Sequence, residues 1–470
     1  MSGFRWKARE LTIAAGGERV AGTGEAEFSD IAIDSRAIAP DQLFVAIRGE
    51  RHDGHRFAPA VVESGVRGVV VARDALNDLP LDVWREAGVT CLAVDDTTRA
   101  LGALANFRRR LWGGSVAAVT GSNGKTSTRA MMAAVLARAG PTLATRGNFN
   151  NEIGLPLTLF RLRPEHRWAA VELGMNHFGE IARLARIAAP DIGVITNIGP
   201  AHLEGVGSLD GVLRAKAELI AEMPAASTAV LNADDSRLLD LARATDRPVA
   251  LFGRSERAAI RAQDETPTPE GTAFTLVLPN GRARVRLSAA GRFQVSNALA
   301  AAAVGHLAGL DAGAIAAELA EVRPEKGRMV PLETRRGIHL IDDTYNANPA
   351  SLAAAVQTLA ELAPPGRRAL VVGDMLELGD AATELHRQAG RLAVAAGVDR
   401  VLGSGPLSAA LVSAAAEAGL PTEACFSGPP GAVADRLTET LNPGDWVLVK
   451  GSRGMAMERV LNLLREWADR

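Results

Sequence analysis

The sequence predicts an α/β protein of three domains: a smaller N-terminal α/β domain, a central domain on a parallel sheet, and a C-terminal doubly wound domain. The chain has 470 residues, which is enough for roughly three domains. Apolar strands alternate with helical segments in two series, one from about residue 113 and one from about residue 324. Apolar strands between helices form parallel sheets that are covered on both faces. We place the domains at residues 1–96, 97–323 and 324–470.

The N-terminal segment mixes short strands with helices. Residues 28–33 and 42–47 are predicted strands around a turn at 39–41, and residues 67–72 form an apolar strand. The run Asp95-Asp96-Thr97-Thr98 is typical of a helix N-cap, and it predicts a connecting helix that runs through Leu111.

The central segment is predicted to contain a parallel sheet with an antiparallel extension. Its strands are expected at residues 115–120, 168–173, 192–197 and 228–232. Residues 254–287 are more polar and alternating, with a hairpin turn at Pro279, Asn280 and Gly281. These observations predict a small antiparallel unit after the parallel strands.

The C-terminal segment repeats the strand–helix alternation. The break falls at residues 323–328. Five strands follow, and they are expected at residues 338–341, 369–372, 400–402, 424–426 and 446–449. Alanine-rich helices separate them, which predicts a second doubly wound, Rossmann-like domain.

Composition limits the classes of function. The formal net charge is −2, which gives no electrostatic reason to expect nucleic acid as a partner. The two cysteines form no spacing motif and fit a reducing compartment. We find no apolar stretch of transmembrane length and no signal-peptide core near the start of the sequence. We therefore expect a cytoplasmic protein without membrane insertion.

A glycine-rich turn after the first central strand is the most informative motif. Gly121 and Gly124 are followed by Lys125 and Thr126, and helical spacing begins there. The glycines let backbone N–H groups approach an anion, and a helix N-terminus favours negative charge. Lys125 would reach the outer phosphates of a nucleotide, and the Thr126 hydroxyl would bind Mg²⁺. The spacing is shorter than in the common P-loop, and a tight turn with a surface lysine is the alternative.

Two further residues lie where the neighbouring strands end. Glu172 ends one apolar strand, and His202 lies in a Gly/Pro turn after the next. Ligands of parallel α/β sheets bind at this edge, so we expect Glu172 near a nucleotide-bound metal and His202 in metal ligation or substrate contact. A salt bridge at Glu172 and a structural role for His202 are the alternatives. Lys216, on the pattern alone, is a solvated helix lysine.

Three later segments also carry dense polar chemistry. Ser296 or Asn297 would cap an alanine-rich helix. The turn after the first C-terminal strand, at 342–349, holds two acids, two amides and Tyr345, the single tyrosine of the chain. Turn formation explains only part of this density. Residues 450–454 follow the last strand and could form a second anion-binding turn.

These motifs, in this order along nearly the whole chain, resemble the Mur ligases. The short glycine loop, Glu172, His202, the Lys216 segment, residues 297–300, residues 327–329 and Asp342-Asp343 carry the resemblance. Residues 147–156, 343–349, 373–379 and 450–453 are similar to one branch of the family. That branch adds D-alanyl-D-alanine to UDP-N-acetylmuramoyl tripeptide through an acyl phosphate, giving the pentapeptide precursor of peptidoglycan.

The resemblance implies ATP and Mg²⁺ as cofactors and assigns roles to residues of this chain. Lys125, Glu172, His202 and Lys216 would be catalytic, and Lys216 would be carbamylated and hold metal together with Thr126, Glu172 and His202. The implied ATP-binding residues are Gly121, Ser122, Asn123, Gly124, Lys125, Thr126, Ser127, Asn297, Arg328 and Asp343. The implied substrate-binding residues are Ser35, Arg36, Asn148, Asn150, Asn151, Tyr345, Asn346 and Asn348.

Two alternatives stay open from the sequence. One is a related ligase with another acceptor, and the other is a non-catalytic ATP-binding protein. The implied enzyme would act on UDP-N-acetylmuramoyl tripeptide and D-alanyl-D-alanine, and we expect it to be a monomer.

Overall fold

The computed structural model describes residues 4–49, 51–268 and 271–470 of the chain. Its described strands fall into three larger sheets and one two-stranded sheet. The N-terminal domain holds strands β1 (Trp6–Lys7), β2 (Glu18–Ala21), β3 (Glu27–Phe28), β4 (Ile31–Ala32), β5 (Leu43–Val45), β6 (Gly68–Ala72) and β7 (Thr90–Val94). Its helices are α1 (Ala8–Ala15), α2 (Ala58–Glu63) and α3 (Leu81–Glu86), and α4 (Thr97–Trp112) follows β7.

The predicted strand at 28–33 is wrong as a single element. It divides into β3, which pairs antiparallel with β1, and β4, which pairs parallel with β5 in the sheet of order β2-β7-β6-β5-β4. Asp30 lies at the division, where its carboxylate accepts a hydrogen bond from the Ile31 N–H at 3.0 Å. A side chain that binds its own backbone in this way competes with the ladder.

The central domain is built on a nine-stranded sheet of order β16-β15-β14-β13-β12-β11-β8-β10-β9. Its strands are β8 (Ser115–Thr120), β9 (Thr142–Ala144), β10 (Trp168–Glu172), β11 (Ile192–Ile195), β12 (Thr228–Asn232), β13 (Val249–Gly253), β14 (Ile260–Thr268), β15 (Gly271–Leu278) and β16 (Gly281–Leu287). Its helices are α5 (Lys125–Ala139), α6 (Gly154–Phe160), α7 (Glu180–Ala188), α8 (Leu203–Val206), α9 (Leu209–Glu222), α10 (Ser236–Ala244), α11 (Arg292–Leu307) and α12 (Ala312–Glu321).

The parallel part of this sheet runs from β9 to β14, and β14 to β16 pair antiparallel. The predicted hairpin is confirmed, because Leu278 pairs with Gly281 across a two-residue turn. Residues 269–270 of the predicted antiparallel unit lie outside the described residues. The carboxyl ends of β8, β10, β11 and β12 meet at one edge, where the polar residues that follow them converge.

The C-terminal domain is a six-stranded sheet of order β17-β18-β22-β19-β20-β21. Its strands are β17 (Val330–Glu333), β18 (His339–Asp343), β19 (Arg368–Gly373), β20 (Arg400–Ser404), β21 (Cys425–Ser427) and β22 (Trp446–Lys450). Its helices are α13 (Pro349–Leu362), α14 (Ala382–Ala395), α15 (Pro406–Glu417), α16 (Pro430–Thr438) and α17 (Glu458–Asp469). The five predicted strands are present. The sequence did not indicate β17, which pairs antiparallel with β18 at the edge.

The first two domains share an apolar core, whereas the third domain has cores of its own. One core runs continuously from Trp6 and Leu11 of the first domain to Val116 and Leu231 of the second. The C-terminal domain has its own cores on the two faces of its sheet. The first two domains are therefore packed as one body, whereas the third meets them through polar contacts described below and through Phe293 of α11, which packs against its core. Within the described part of the chain, no helix is long and apolar enough to cross a bilayer.

Candidate active site

A cleft of about 920 Å³ lies between the central and C-terminal domains. One wall comes from the loop after β8, the ends of β10 and β11, and the start of α11. The other wall comes from the linker before β17 and from the loops that follow β18, β19 and β22. Most sequence-predicted site residues line this cleft, so the structure brings together residues that are more than 300 positions apart.

The glycine loop between β8 and α5 is packed so tightly that two positions require glycine. Gly121 has φ 148° and Gly124 has φ 80°, and an L-residue rarely adopts these values. A Cβ at Gly121 would overlap Thr196 Oγ1, and one at Gly124 would overlap Asn297 Oδ1. The loop is also held from β11, because the Asn123 N–H donates to Asn197 Oδ1 at 3.0 Å.

Lys125 begins α5 and points back along the loop. Its Nζ donates to the Gly121 carbonyl at 2.8 Å. Burial holds the pKa of Lys125 below its ordinary value, and the nearby Glu172 carboxylate opposes this shift. A lysine held over backbone N–H groups at a helix N-terminus is suited to bind phosphate oxygens.

Thr126 is paired with the C-terminal side of the cleft in this structure. Arg328 Nη2 donates to Thr126 Oγ1 at 2.7 Å, and the Arg328 guanidinium lies 4.0 Å from the centre of the Tyr345 ring. A guanidinium cation therefore lies at the hydroxyl expected to bind Mg²⁺. Both residues line the cleft, so the linker reaches the first turn of α5.

Glu172 is the buried carboxylate at the end of β10. Its side chain is 3% exposed, and Oε1 accepts a hydrogen bond from Asn150 Nδ2 at 2.8 Å. Oε2 is also buried but has no hydrogen-bond partner among the described residues. A buried carboxylate oxygen without a partner is costly, and it suits a cation that the cleft would bind.

The expectation that Lys216 is a solvated lysine is wrong. Lys216 is 1% exposed, and it lies on the buried face of α9 with Val212, Ala215 and Leu219. Burial, together with the positive charge of Lys125 nearby, holds the pKa of Lys216 well below its ordinary value. The three- and four-residue spacing from Val212 to Leu219 is the sequence signal that could have shown this burial.

His202 makes a contact across the cleft that the sequence did not predict. Its Nδ1 lies 2.9 Å from Glu377 Oε2 in the C-terminal domain, and this hydrogen bond lowers the pKa of Glu377. Both residues have positive φ, 55° for His202 and 63° for Glu377. The position of Glu377 within the distinctive segment 373–379 was its only signal in the sequence.

Asp343 is held in a buried ion pair. Lys450 Nζ lies 2.6 Å from Asp343 Oδ2 and donates to the Asn346 carbonyl at 2.9 Å. Burial raises the pKa of Asp343, and the Lys450 charge opposes that rise. Residues 450–454 were expected to form an anion-binding turn. The first of them, Lys450, is already paired with the Asp343 carboxylate.

The caps expected at Ser296 or Asn297 are wrong, because α11 begins at Arg292 with Gly291 as its N-cap. Both residues lie inside the helix. Asn297 is buried against the glycine loop, where its Oδ1 accepts from Thr128 Oγ1 at 3.3 Å. Asn348 reaches the same loop from the other domain, since its Nδ2 donates to Asn123 Oδ1 at 2.8 Å.

The remaining predicted substrate residues divide into two groups. Asn148, Asn150, Asn151 and the turn at 345–348 line the cleft. Ser35 and Arg36 are not among the described residues that line it. Arg36 instead forms an exposed ion pair with Asp34, and hydrogen bonds from Arg36 lower the pKa of Asp34 to about 2.

The donor set of the cleft fits Mg²⁺ only in part. In the described residues, no group of three or more His, Cys, Asp or Glu side chains is arranged to hold a metal. Mg²⁺, however, is usually bound by one or two protein oxygens together with water and substrate phosphates. The unpartnered Oε2 of Glu172 and the Thr126 hydroxyl are oxygens of this kind.

The fold and the cleft define a class: nucleotide-phosphate-binding α/β proteins whose second wall comes from a separate domain. Models of three domains of one family together match most of the chain. "Mur ligase family, catalytic domain" matches residues 27–109, "Mur ligase middle domain" matches 119–305, and "Mur ligase, glutamate ligase domain" matches 327–453.

Individual relatives agree with these matches. A UDP-N-acetylmuramoyl-tripeptide–D-alanyl-D-alanine ligase of Escherichia coli is 41% identical over 94% of this chain and 96% of its own. The Bacillus subtilis protein of that name is 34% identical over 93% of each. A crystal structure of MurF from Acinetobacter baumannii has a TM-score of 0.89 at 33% identity, covering 99% and 100% of the two chains. MurF from Thermotoga maritima in complex with ADP has a TM-score of 0.83 at 27% identity, covering 93% and 97%. The chain belongs to the Mur ligase family.

Proposed function

We propose that this protein is an ATP-dependent amide ligase that joins D-alanyl-D-alanine to UDP-N-acetylmuramoyl tripeptide. The product would be the UDP-muramoyl pentapeptide used in peptidoglycan synthesis. Relatives that are named for this reaction align with nearly the full length of the chain. The observation that carries the proposal is the two-walled cleft, where the phosphate loop of one domain faces Arg328, Asn348 and Glu377 on the C-terminal side.

The reaction would proceed in two steps. The terminal carboxylate of the tripeptide attacks the γ-phosphate of ATP, which gives an acyl phosphate and ADP. The amine of D-alanyl-D-alanine then attacks the acyl carbon, and phosphate leaves as the new amide bond forms. Both steps bring anions together, so neutralising negative charge is the main task of the site.

The charges and N–H groups of the loop support this proposal. Lys125 and the backbone N–H groups of residues 121–126 would bind the outer phosphates, and Arg328 would add a second cation from the linker. Asn297 packs against the loop and would lie near the adenine, while Asp343 would lie near the ribose. Bound Mg²⁺ would neutralise phosphate charge and favour an in-line geometry. Glu172, Thr126 and His202 would hold it.

Lys216 would complete the site as a carbamate. A buried amine whose pKa is well below normal spends more of its time neutral, and only a neutral amine adds to carbon dioxide. The ammonium form first loses one proton, and addition of the neutral amine to carbon dioxide forms an N–C bond and releases a second proton, so that an anion replaces a cation. The resulting carbamate would be attracted to a metal beside Glu172, whereas the unmodified lysine is subject to the positive charge of Lys125.

Closure of the C-terminal domain would protect the acyl phosphate from water. We propose that this domain turns about the linker near residues 323–327 and that the domain boundaries are those expected above, 1–96, 97–323 and 324–470. We also propose that the enzyme is a cytoplasmic monomer and that the N-terminal domain binds the UDP-sugar, with Ser35 and Arg36 at the nucleotide.

The test is phosphate release by the purified protein with ATP and Mg²⁺. Each of the two acceptor substrates is omitted in turn, and mass spectrometry identifies the product. We expect release that requires both substrates, with formation of the UDP-muramoyl pentapeptide. Turnover with another acceptor, or stoichiometric nucleotide binding without turnover, would overturn the proposal in favour of another ligase or a non-catalytic ATP-binding protein.

A further inference from the structure

The incoming dipeptide poses a recognition problem that the site described so far leaves open. D-alanyl-D-alanine ends in a carboxylate that does not react and keeps its charge. A carboxylate removed from water needs a cation or several N–H donors. Among the described residues, four lysine or arginine side chains line the cleft: Lys125, Arg328, Lys450 and Arg453.

Three of these four cations already have partners within the site. Lys125 donates to the carbonyl of its own phosphate loop, and Arg328 donates to the first turn of α5. Lys450 is 2% exposed and is neutralised by Asp343 at 2.6 Å. Each of them faces the nucleotide side of the cleft or is fixed in a buried pair, so none is free to bind a second anionic substrate.

Arg453 differs from the other three. Its side chain is 67% exposed, and its one ion-pair partner is Glu458, at 3.2 Å from a single guanidinium nitrogen. The second carboxylate oxygen of Glu458 has no hydrogen-bond partner among the described residues, so the pair uses one oxygen only. The edge of the guanidinium formed by Nε and Nη2 could donate to both oxygens of another carboxylate, and it takes no part in this pair.

The backbone that carries Arg453 is firmly anchored. Ser452 precedes it and is 4% exposed. The Ser452 hydroxyl donates to the Ala347 carbonyl at 3.2 Å and accepts from the Leu376 N–H at 2.9 Å. Arg453 then begins a single 3-10 turn, Arg453–Met455. An exposed guanidinium on a fixed base is suited to orient a small ligand at low entropic cost.

An apolar surface lies next to this cation. Leu376 is 42% exposed and lines the cleft, and a Cβ at Gly454 would lie 3.1 Å from Leu376 Cδ1. Gly454 and Leu376 are therefore neighbours beside Arg453. The two side chains of D-alanyl-D-alanine are methyl groups, so the ligand presents one anion and two small apolar groups, which match these neighbours.

We propose that Arg453 binds the terminal carboxylate of the incoming D-alanyl-D-alanine, with Leu376 contacting its methyl groups. This inference rests on the proposed function. A two-residue peptide spans at most about 7 Å. Arg453 thereby fixes how far into the cleft the attacking amine reaches, and it is a specificity-determining residue for the second substrate.

The first test compares Arg453→Met with Arg459→Met. Arg459 is an exposed arginine in the same region that does not line the cleft. We expect Arg453→Met to raise KM for D-alanyl-D-alanine by about 10- to 100-fold, the range for losing a hydrogen-bonded charge pair. KM for ATP and for the tripeptide should stay within about twofold, and Arg459→Met should match the unmodified enzyme. An unchanged KM for the dipeptide in Arg453→Met would overturn the proposal.

The second test removes the charge from the ligand instead. The unmodified enzyme should use D-alanyl-D-alanine amide with a KM raised by about the same factor, whereas Arg453→Met should discriminate little between acid and amide. Equal discrimination by both enzymes would refute the assignment. These results are separable from the proposed function, because an unmodified enzyme that makes no pentapeptide from the dipeptide would overturn that function and this inference together.

Discussion

Three charged side chains at the site are held where water and ordinary pairing are restricted, and of these Lys125 and Glu172 line the cleft, whereas Lys216 is not among the described residues that line it. Lys125 contacts its own loop, Lys216 is buried under a neighbouring positive charge, and one oxygen of Glu172 lacks a partner. Glu172 would gain a partner when a cation binds, Lys125 would gain one when phosphate binds, and Lys216 would lose its unfavourable charge on carbamylation. The residues therefore store part of the binding free energy before any ligand is present.

The first prediction concerns Lys125. Lys125→Ala should lower kcat by at least about 10³-fold, because it removes the one loop cation aimed at the phosphates from a site shielded from water. Its melting temperature should be unchanged or higher, since burial disfavours the charged lysine. Steady-state phosphate release and thermal melting measure the two effects. Turnover near that of the unmodified enzyme would exclude the loop as the ATP site.

The second prediction concerns Lys216. Lys216→Ala should abolish turnover and should recover part of it when formate or acetate is added, because a small carboxylate would occupy the place of the carbamate. The control is Lys326→Ala, which replaces an exposed lysine. The turnover of this variant should not change when carboxylate is added. Full activity of Lys216→Ala without any additive would show that Lys216 has no role in catalysis.

The sequence predicted those site residues whose position depends only on the strand that directly precedes them. The glycine loop and Glu172 follow directly from strands, so their position at the sheet edge could be predicted. The burial of Lys216 was missed because a lysine on a helix is ordinarily solvated, although the spacing of Val212, Ala215 and Leu219 indicates the buried face of α9. The pairs Thr126–Arg328 and His202–Glu377 join residues about 200 positions apart on different domains, and no spacing pattern encodes such contacts.

At the scale of elements, capping and sheet order bring the site residues together. The Asp96 carboxylate caps α4 by accepting from the N–H groups of Thr98 at 2.8 Å and Arg99 at 3.0 Å. Helix α4 then contributes Leu101 and Leu104 to the core shared by the first two domains. A cap at the start of this helix therefore supports the junction between domains.

The third prediction tests that cap. Asp96→Ala should destabilise the protein by about 1 kcal/mol, because two N–H groups at the start of α4 lose their acceptor. The melting temperature should fall, and hydrogen exchange at Thr98 and Arg99 should accelerate. Asp95→Ala is the matched control, since Asp95 makes only an exposed ion pair with Arg73. Equal effects of the two substitutions would show that the cap contributes nothing specific.

The fold was largely predictable where strands are apolar and lie between helices. Strands β8 and β12 have the expected bounds, and α4 begins where its cap predicted. Short or exposed strands escaped detection, and so did β7, although it is fully buried. Strand β17 contains Pro331 and is half exposed, which a pattern search excludes, although proline is tolerated in an edge strand. Strands β3 and β4 join different sheets, and this separation is decided by tertiary pairing.

At the scale of the whole molecule, the third domain is held against the second by a few polar contacts and by the packing of Phe293 of α11 against its core. Arg328 binds Thr126, Asn348 binds Asn123, and His202 contacts Glu377. A further ion pair joins Arg129 of α5, which is 7% exposed, to Glu325 in the linker. Polar contacts of this kind break and re-form at modest cost, so the arrangement suits a domain that opens and closes.

The fourth prediction concerns the Arg129–Glu325 pair. Glu325→Gln should weaken the closed arrangement, because Arg129 loses its charged partner in the hinge. The radius of gyration from X-ray scattering should increase without ligands, and phosphate release without dipeptide should rise as water reaches the acyl phosphate. Lys326→Gln, one residue along the linker and exposed, should change neither quantity. Identical scattering from both variants would contradict a hinge role for this pair.

The two walls of the cleft have a consequence for inhibitor design and for resistance. A compound that fills the 920 Å³ space touches both domains, so it binds only the fraction of molecules that is closed, and its apparent affinity is reduced by that fraction. Substitutions in the linker that favour opening would weaken such a compound without altering any atom it contacts. A compound confined to the glycine loop would escape this route, because the tight fit of Gly121 and Gly124 leaves that wall little freedom to change.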